Sequence, residues 1–193
     1  MSVRGGGAGP PGELRLRLAR PDDARRLFDW ANDPATRAAS FDRATIPWPV
    51  HVAWLAGVLA DPDRRLWIAE EAGVLVGQLR VDRTPGGLGT VSIGLAPAAR
   101  GRGLGPAVLR MGVAAAVREL GIGRVRAVVM AANRPSRRLF EGAGFVPVGV
   151  AAPGVVAAAG VVAAPGADHS GHPAALVLEA DATAFAAEPE SRS

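Results

Sequence analysis

Hydrophobic and polar positions along the chain follow two periods. The stretch 13-ELRLRLA-19 alternates leucine with polar residues, the pattern of a half-buried strand. Pro21, Asp22 and Asp23 supply a helix start with acids in its first turn. Ala24, Leu27, Phe28 and Ala31 continue at helical spacing until Asn32-Asp33-Pro34 stops that helix. Residues 33–49 read as a long loop carrying the buried-type side chains Phe41, Ile46 and Trp48. A second helix is predicted from about Pro49 to Ala60, with Trp54, Leu55, Val58 and Leu59 as its stripe and His51 on the same side. The runs 65-RLWIAEE-71 and 74-VLVGQLRVD-82 flank Ala72-Gly73 and predict an antiparallel hairpin. After the turn at Pro85-Gly86-Gly87, 89-GTVSIGLA-96 adds a third strand. Leu104 to Leu120 reads as a long helix, apolar on most sides and therefore buried, ended by Gly121 and Gly123. A strand at 124-RVRAVVM-130, a short helix over 134–143, a strand after Gly144-Phe145 and a closing strand at 174-AALVLEAD-181 complete the pattern. The order βααβββαβαββ predicts an α+β fold with a mixed sheet flanked by helices.

Three segments stand outside this pattern. Residues 1–12 form a Gly/Pro-rich arm expected to be disordered, 150–173 an Ala/Gly-rich loop or loose hairpin, and 182–193 a tail. A single domain over 13–181 remains, and at 49% hydrophobic residues the chain can bury a core.

Charge changes the picture little. The isoelectric point near 11.2 suggests a nucleic-acid partner, but the net charge is only +4 and all 22 basic residues are arginine. Arginine titrates so high that a small excess lifts the isoelectric point. The charges are also spread along the chain, where a nucleic-acid face needs them clustered. With no cysteine, thiolate nucleophiles, disulfides and cysteine-held metals are excluded. No apolar run reaches membrane-spanning length, and 1–12 lacks a signal-peptide core. A cytoplasmic protein is expected, without membrane or nucleic-acid partner, as monomer or homodimer.

The candidate chemistry sits in 96-APAARGRGLGPAVLRM-111. A P-loop would need Gly-Lys-Ser/Thr, and the chain has no lysine. A dinucleotide fingerprint needs different glycine spacing in the first βα unit of a parallel sheet. What remains is Arg100-x-x-Gly103-x-Gly105 between a strand and a helix. Free amides and the helix dipole favour an anion there, and glycines allow close approach. Pro106, read as the first helical position, costs one donor.

Over residues 13–149 the chain resembles the GNAT superfamily of acyl-CoA-dependent N-acetyltransferases. The R/Q-x-x-G-x-G/A loop, the strand 91-VSIGLAP-97 and 133-NRPSRRLFEGAGF-145 carry the resemblance, in family order. It implies a mostly antiparallel sheet with a splayed, V-shaped cleft between the central strands, where Gly94 suggests a bulge. It also implies acetyl-CoA as co-substrate and no metal. Leu95, Ala96, Pro97, Arg100, Gly101, Arg102, Gly103, Leu104, Gly105, Asn133 and Phe140 would contact that cofactor. The Leu95 N–H would stabilise the oxyanion during direct attack by an amine. Family members commonly carry a glutamate where Thr90 stands and a tyrosine where Phe140 stands. His51 is the substitute base by residue type, and Ser136 or a water would return the proton.

The segment 30-WANDPATRAASFDRATIPWPVHVAWL-55 is similar to the acceptor wall of N-acetyltransferases that modify nucleotide-linked amino sugars. This similarity implies a small-molecule amine acceptor contacted by Trp30, Asn32, Arg37, Ser40 and His51. Ala31 replaces the usual arginine. Protein N-terminal acetylation, aminoglycoside acetylation and a degenerate acyl-CoA sensor remain as alternatives.

Overall fold

The computed structural model describes residues 13–151 and 174–186. Strand β1 (Leu14–Leu18) leads through a short 3-10 turn into helices α1 (Ala24–Ala31), α2 (Pro34–Ala38) and α3 (Trp48–Ala60). Strands β2 (Arg64–Glu71), β3 (Val74–Thr84) and β4 (Leu88–Leu95) follow, then α4 (Leu104–Leu120), β5 (Arg124–Met130) and α5 (Arg134–Gly142). The described part closes with β6 (Val146–Val150), β7 (Ala175–Asp181) and α6 (Thr183–Ala186).

One seven-stranded sheet runs in the order β1-β2-β3-β4-β5-β7-β6. Its neighbours are antiparallel except β4 and β5. The exception follows from connectivity, because α4 crosses over between those two strands and returns the chain in the same direction. This is the expected α+β architecture. Side-chain alternation splits the sheet into two faces. Leu79 lies beneath Gly112 of α4, and with it Val81 and Val91 bury on that helix's side. Gln78, Arg80 and Ser92 take the opposite face, where Arg80 meets Trp54 of α3.

The ladder between β4 and β5 spans only Leu88–Thr90 against Arg124–Arg126. Beyond it β5 pairs with β7 along its whole length, so β4 and β5 diverge and a V opens between them. The opening does not come from a bulge at Gly94. Register between β3 and β4 is continuous through Gln78↔Gly94 and Gly77↔Leu95, and the irregularities lie at Ala69/Glu70 and Pro147/Gly149.

Other expectations are corrected too. The stretch 33–49 contains α2, since Asp33 caps it by accepting the Thr36 N–H at 3.0 Å and Pro34 suits its first turn. The residues that end α1 thus begin another helix. Trp48 is 42% exposed. It starts α3 and meets Phe28 edge-on at the surface, with ring centres 5.1 Å apart. The predicted tail from 182 includes α6, whose Phe185 packs on Phe145 and is buried. The remaining expectations for 1–12, 152–173 and 187–193 lie outside the described residues.

Candidate active site

An antiparallel ladder sends alternate N–H groups to opposite edges of a strand. The Ala96 N–H donates to the Val76 carbonyl at 2.9 Å. In the unbroken register, the N–H groups of Ile93 and Leu95 therefore point away from β3. They face the V, where the β5 ladder has already ended at Thr90. A β-carbon on Gly77 would lie 2.7 Å from the Gly94 carbonyl oxygen. Glycine there lets the two backbones approach at the residue that presents the Leu95 amide.

The V leads into a cavity of about 420 Å³. Gln78, Arg80, Ser92 and the β4 end line its floor, Asn133, Ser136 and Phe140 one side, and Arg37, Ser40, His51 and Trp54 the other.

In the loop that follows Arg100 on the cavity wall, Gly101 and Gly103 hold φ angles of 75° and 77°, which only glycine adopts cheaply. Gly103 caps α4, so the amides of Gly103, Leu104 and Gly105 have no intrahelical acceptor. Pro106 occupies the third helical position, not the first. It still breaks no intrahelical bond, because that N–H is also among the four left unpaired.

These features meet those of known proteins. The family model described as the acetyltransferase (GNAT) domain matches residues 13–146. The chain belongs to the GNAT acetyltransferase family. Spermidine N-acetyltransferase from Vibrio cholerae, solved with CoA and spermine, superposes with a TM-score of 0.73 at 16% identity, covering 89% of this chain and 97% of that one. A putative acetyltransferase, yncA, from Salmonella typhimurium, solved with acetyl-CoA, gives 0.65 at 18% identity over 93% and 98%. No curated protein matches.

The GNAT enzyme's expected site residues divide into groups. Leu95 turns its amide into the V, and the Gly103–Gly105 amides at the start of α4 have no intrahelical acceptor. Ser136 and His51 line the cavity. Asn133 reaches the cavity too, but its side chain caps α5, accepting the Ser136 N–H at 3.2 Å. Phe140 borders the cavity as a core residue, edge-on to Phe145 and 4% exposed. Arg102 pairs with Glu71 at the surface. Arg100 donates to the Asp33 carboxylate at 2.7 Å and to the Thr36 hydroxyl at 2.8 Å.

Of the expected acceptor contacts, two are structural. Trp30 sits in the hydrophobic core and is absent from the cavity wall. Asn32 pairs through its amide with the Ile46 backbone, at 3.1 and 2.8 Å, and so fastens the loop before α3. Arg37 and Ser40 do line the cavity. Arg37 donates to the carbonyls of Ala31 and Asp42 and to the Ser40 hydroxyl, and Ser40 donates to the Thr36 carbonyl.

His51 is fully buried among Phe28, Trp48 and Trp54. Its Nε2 lies 3.0 Å from the Ala24 carbonyl oxygen. A carbonyl only accepts, so the proton resides on Nε2 and Nδ1 carries the lone pair. That Nδ1 has no hydrogen-bond partner among the described residues. Burial lowers the His51 pKa below its ordinary 6.5. Protonation therefore favours the unfolded chain: this stability is intact above about pH 6.5 and is lost as pH falls toward the folded value. Thermal unfolding followed from pH 7 to 5 should show a falling midpoint. His51→Gln, which keeps an N–H for Ala24, should flatten that slope.

Arg80 and Asp82 form a polar pair that strand periodicity alone does not mark out. They form a pair at 3.0 Å on the sheet face beneath α3, 5% and 9% exposed, with Arg80 5.6 Å from the Trp54 ring. Burial pushes the Asp82 carboxyl up despite the Arg80 charge, and pushes Arg80 down. Their trace in the sequence is the polar alternation Gln78-x-Arg80-x-Asp82 in an otherwise apolar strand. It reads as a solvated face until a helix is known to cover it.

Proposed function

We propose that this enzyme transfers the acetyl group of acetyl-CoA to a primary amine of a nucleotide-linked amino sugar by direct attack. One observation supports the acceptor class. Arg37 and Arg80 line the cavity, and its described lining residues include no Asp or Glu. A polycation would find no free carboxylate on that wall, since the nearby acids Asp33 and Asp82 already pair with Arg100 and Arg80. An amine tethered to phosphates brings negative charge, and the arginine fork suits phosphate oxygens.

The residues present fit the co-substrate. Three amides without intrahelical acceptors converge at the positive end of α4. Around Gly101 and Gly103 there is open space where a β-carbon would sit. Gly103, Leu104 and Gly105 would hold the pyrophosphate with Arg102 nearby, and Leu95, Ala96 and Pro97 the pantetheine arm. Acetyl-CoA, when bound, supplies its acetyl group as a thioester. The Leu95 N–H is turned to donate to a carbonyl oxygen that gains negative charge. His51, unprotonated at neutral pH and fully buried in the cavity wall, would receive the proton shed by the attacking nitrogen through an intervening water. Ser136 offers a hydroxyl for the last proton. A strong acid is not needed in place of Phe140, since a thiol has an ordinary pKa of about 8.5 and its anion leaves readily.

Thiol release from acetyl-CoA tests the reading across UDP-linked amino sugars, spermidine, an N-terminal peptide and an aminoglycoside. Turnover is expected with a nucleotide-linked amino sugar and inhibition by free UDP. Preference for spermidine would overturn the acceptor class. Acetyl-CoA binding with no turnover on any amine would mark a sensor.

A further inference from the structure

The cofactor loop and the acceptor wall are 64 to 67 residues apart in sequence, yet one side chain joins them. Arg100 leaves the loop before α4 and places two donors of its planar fork on α2, one on Asp33 and one on Thr36. Asp33 is the cap of α2 and also accepts the Thr36 N–H. The chain continues from the Thr36 carbonyl to Ser40, then Arg37, whose guanidinium holds the carbonyls of Ala31 and Asp42. A continuous run of hydrogen bonds thus extends from the pyrophosphate loop through the wall that would face the amine.

We infer that Arg100 is a positioning residue: a strut that transmits order from the occupied cofactor loop to the acceptor wall, and not a phosphate ligand. The strut needs the fork. A lysine would leave a positive charge in the loop but could not bridge a carboxylate and a hydroxyl with fixed geometry. The Arg100 hydrogen bond is also the largest influence holding the Asp33 carboxyl below its ordinary range, so the acceptor of the strut stays charged at neutral pH. This inference rests on the reading of acetyl-CoA as co-substrate.

Hydrogen exchange with coenzyme A as the probe, alongside calorimetric affinity, tests it without needing the acceptor. In the wild-type protein, saturating coenzyme A should slow exchange across 33–40 by about five-fold or more. Arg100→Lys and Asp33→Asn should each bind coenzyme A within about three-fold of wild type, below a typical allosteric coupling, while losing that protection. Thr36→Val, which removes one of the two bonds, should lose part of it. If Arg100→Gln abolishes coenzyme A binding while Arg100→Lys restores it with protection intact, Arg100 is a phosphate ligand and the strut is wrong. Tight binding without protection of 33–40 in the wild type also overturns the strut, yet spares the co-substrate reading. Absence of coenzyme A binding overturns both.

Discussion

Leu95→Pro is expected to lower kcat by about 10²–10³-fold, the cost of one donor aimed at developing negative charge. Proline removes the N–H and nothing from the ladder, because that amide already points away from β3. The acetyl-CoA dissociation constant is the control. It should change far less than kcat, since Gly103, Leu104 and Gly105 present their amides elsewhere. A variant that lost kcat only in proportion to lost acetyl-CoA affinity would remove Leu95 from the chemistry. A lesser fall is expected from Leu95→Ala, which trims the side chain and keeps the donor.

Asp82→Ala is expected to destabilise the fold by about 3 kcal/mol, because it takes a counter-charge from a guanidinium that burial already disfavours. Stability totals of about 5–15 kcal/mol make that a large fraction. Arg80 stays 5% exposed beneath Trp54, at the floor of the cavity. Asp82 itself gains little from being charged, since burial already raises its pKa. The penalty therefore lies chiefly in weakening the charge balance around Arg80. Replacing both residues with apolar ones of similar volume should recover most of the loss. Chemical denaturation of the single and double variants measures it. The same pair bears on function, because Arg80 is one of three arginines on the cavity wall. Where the double variant folds, its affinity for a phosphate-bearing acceptor should fall while acetyl-CoA binding holds.

How far these residues were legible from sequence depended on how local their signal was. Strand alternation and helical spacing placed β1 through β5 and α4 because each pattern repeats within a few residues. The loop from Arg100 to Gly105 was legible for a similar reason, as its glycines and the helix start are adjacent. Short α2 escaped because five residues show no period, and its signal, the Asp33 cap, doubled as the stop of α1. Trp30 and Asn32 stand where the resemblance of 30–55 implies acceptor contacts. The fold spends one on the core and the other on fastening Ile46.

The chain's own order determined the strand succession, the crossover through α4 and the anion-binding turn, all short-range consequences of spacing and backbone chemistry. Tertiary structure decided the rest. Which amide of β4 faces the V depends on pairing parity with β3 and on where the β5 ladder ends. Arg80 and Asp82 become a buried pair only when α3 covers their face. Arg100 meets Asp33 and Thr36 only when residues more than 60 positions apart are folded together. Such contacts join side chains whose separation along the chain carries no period, so no local pattern announces them.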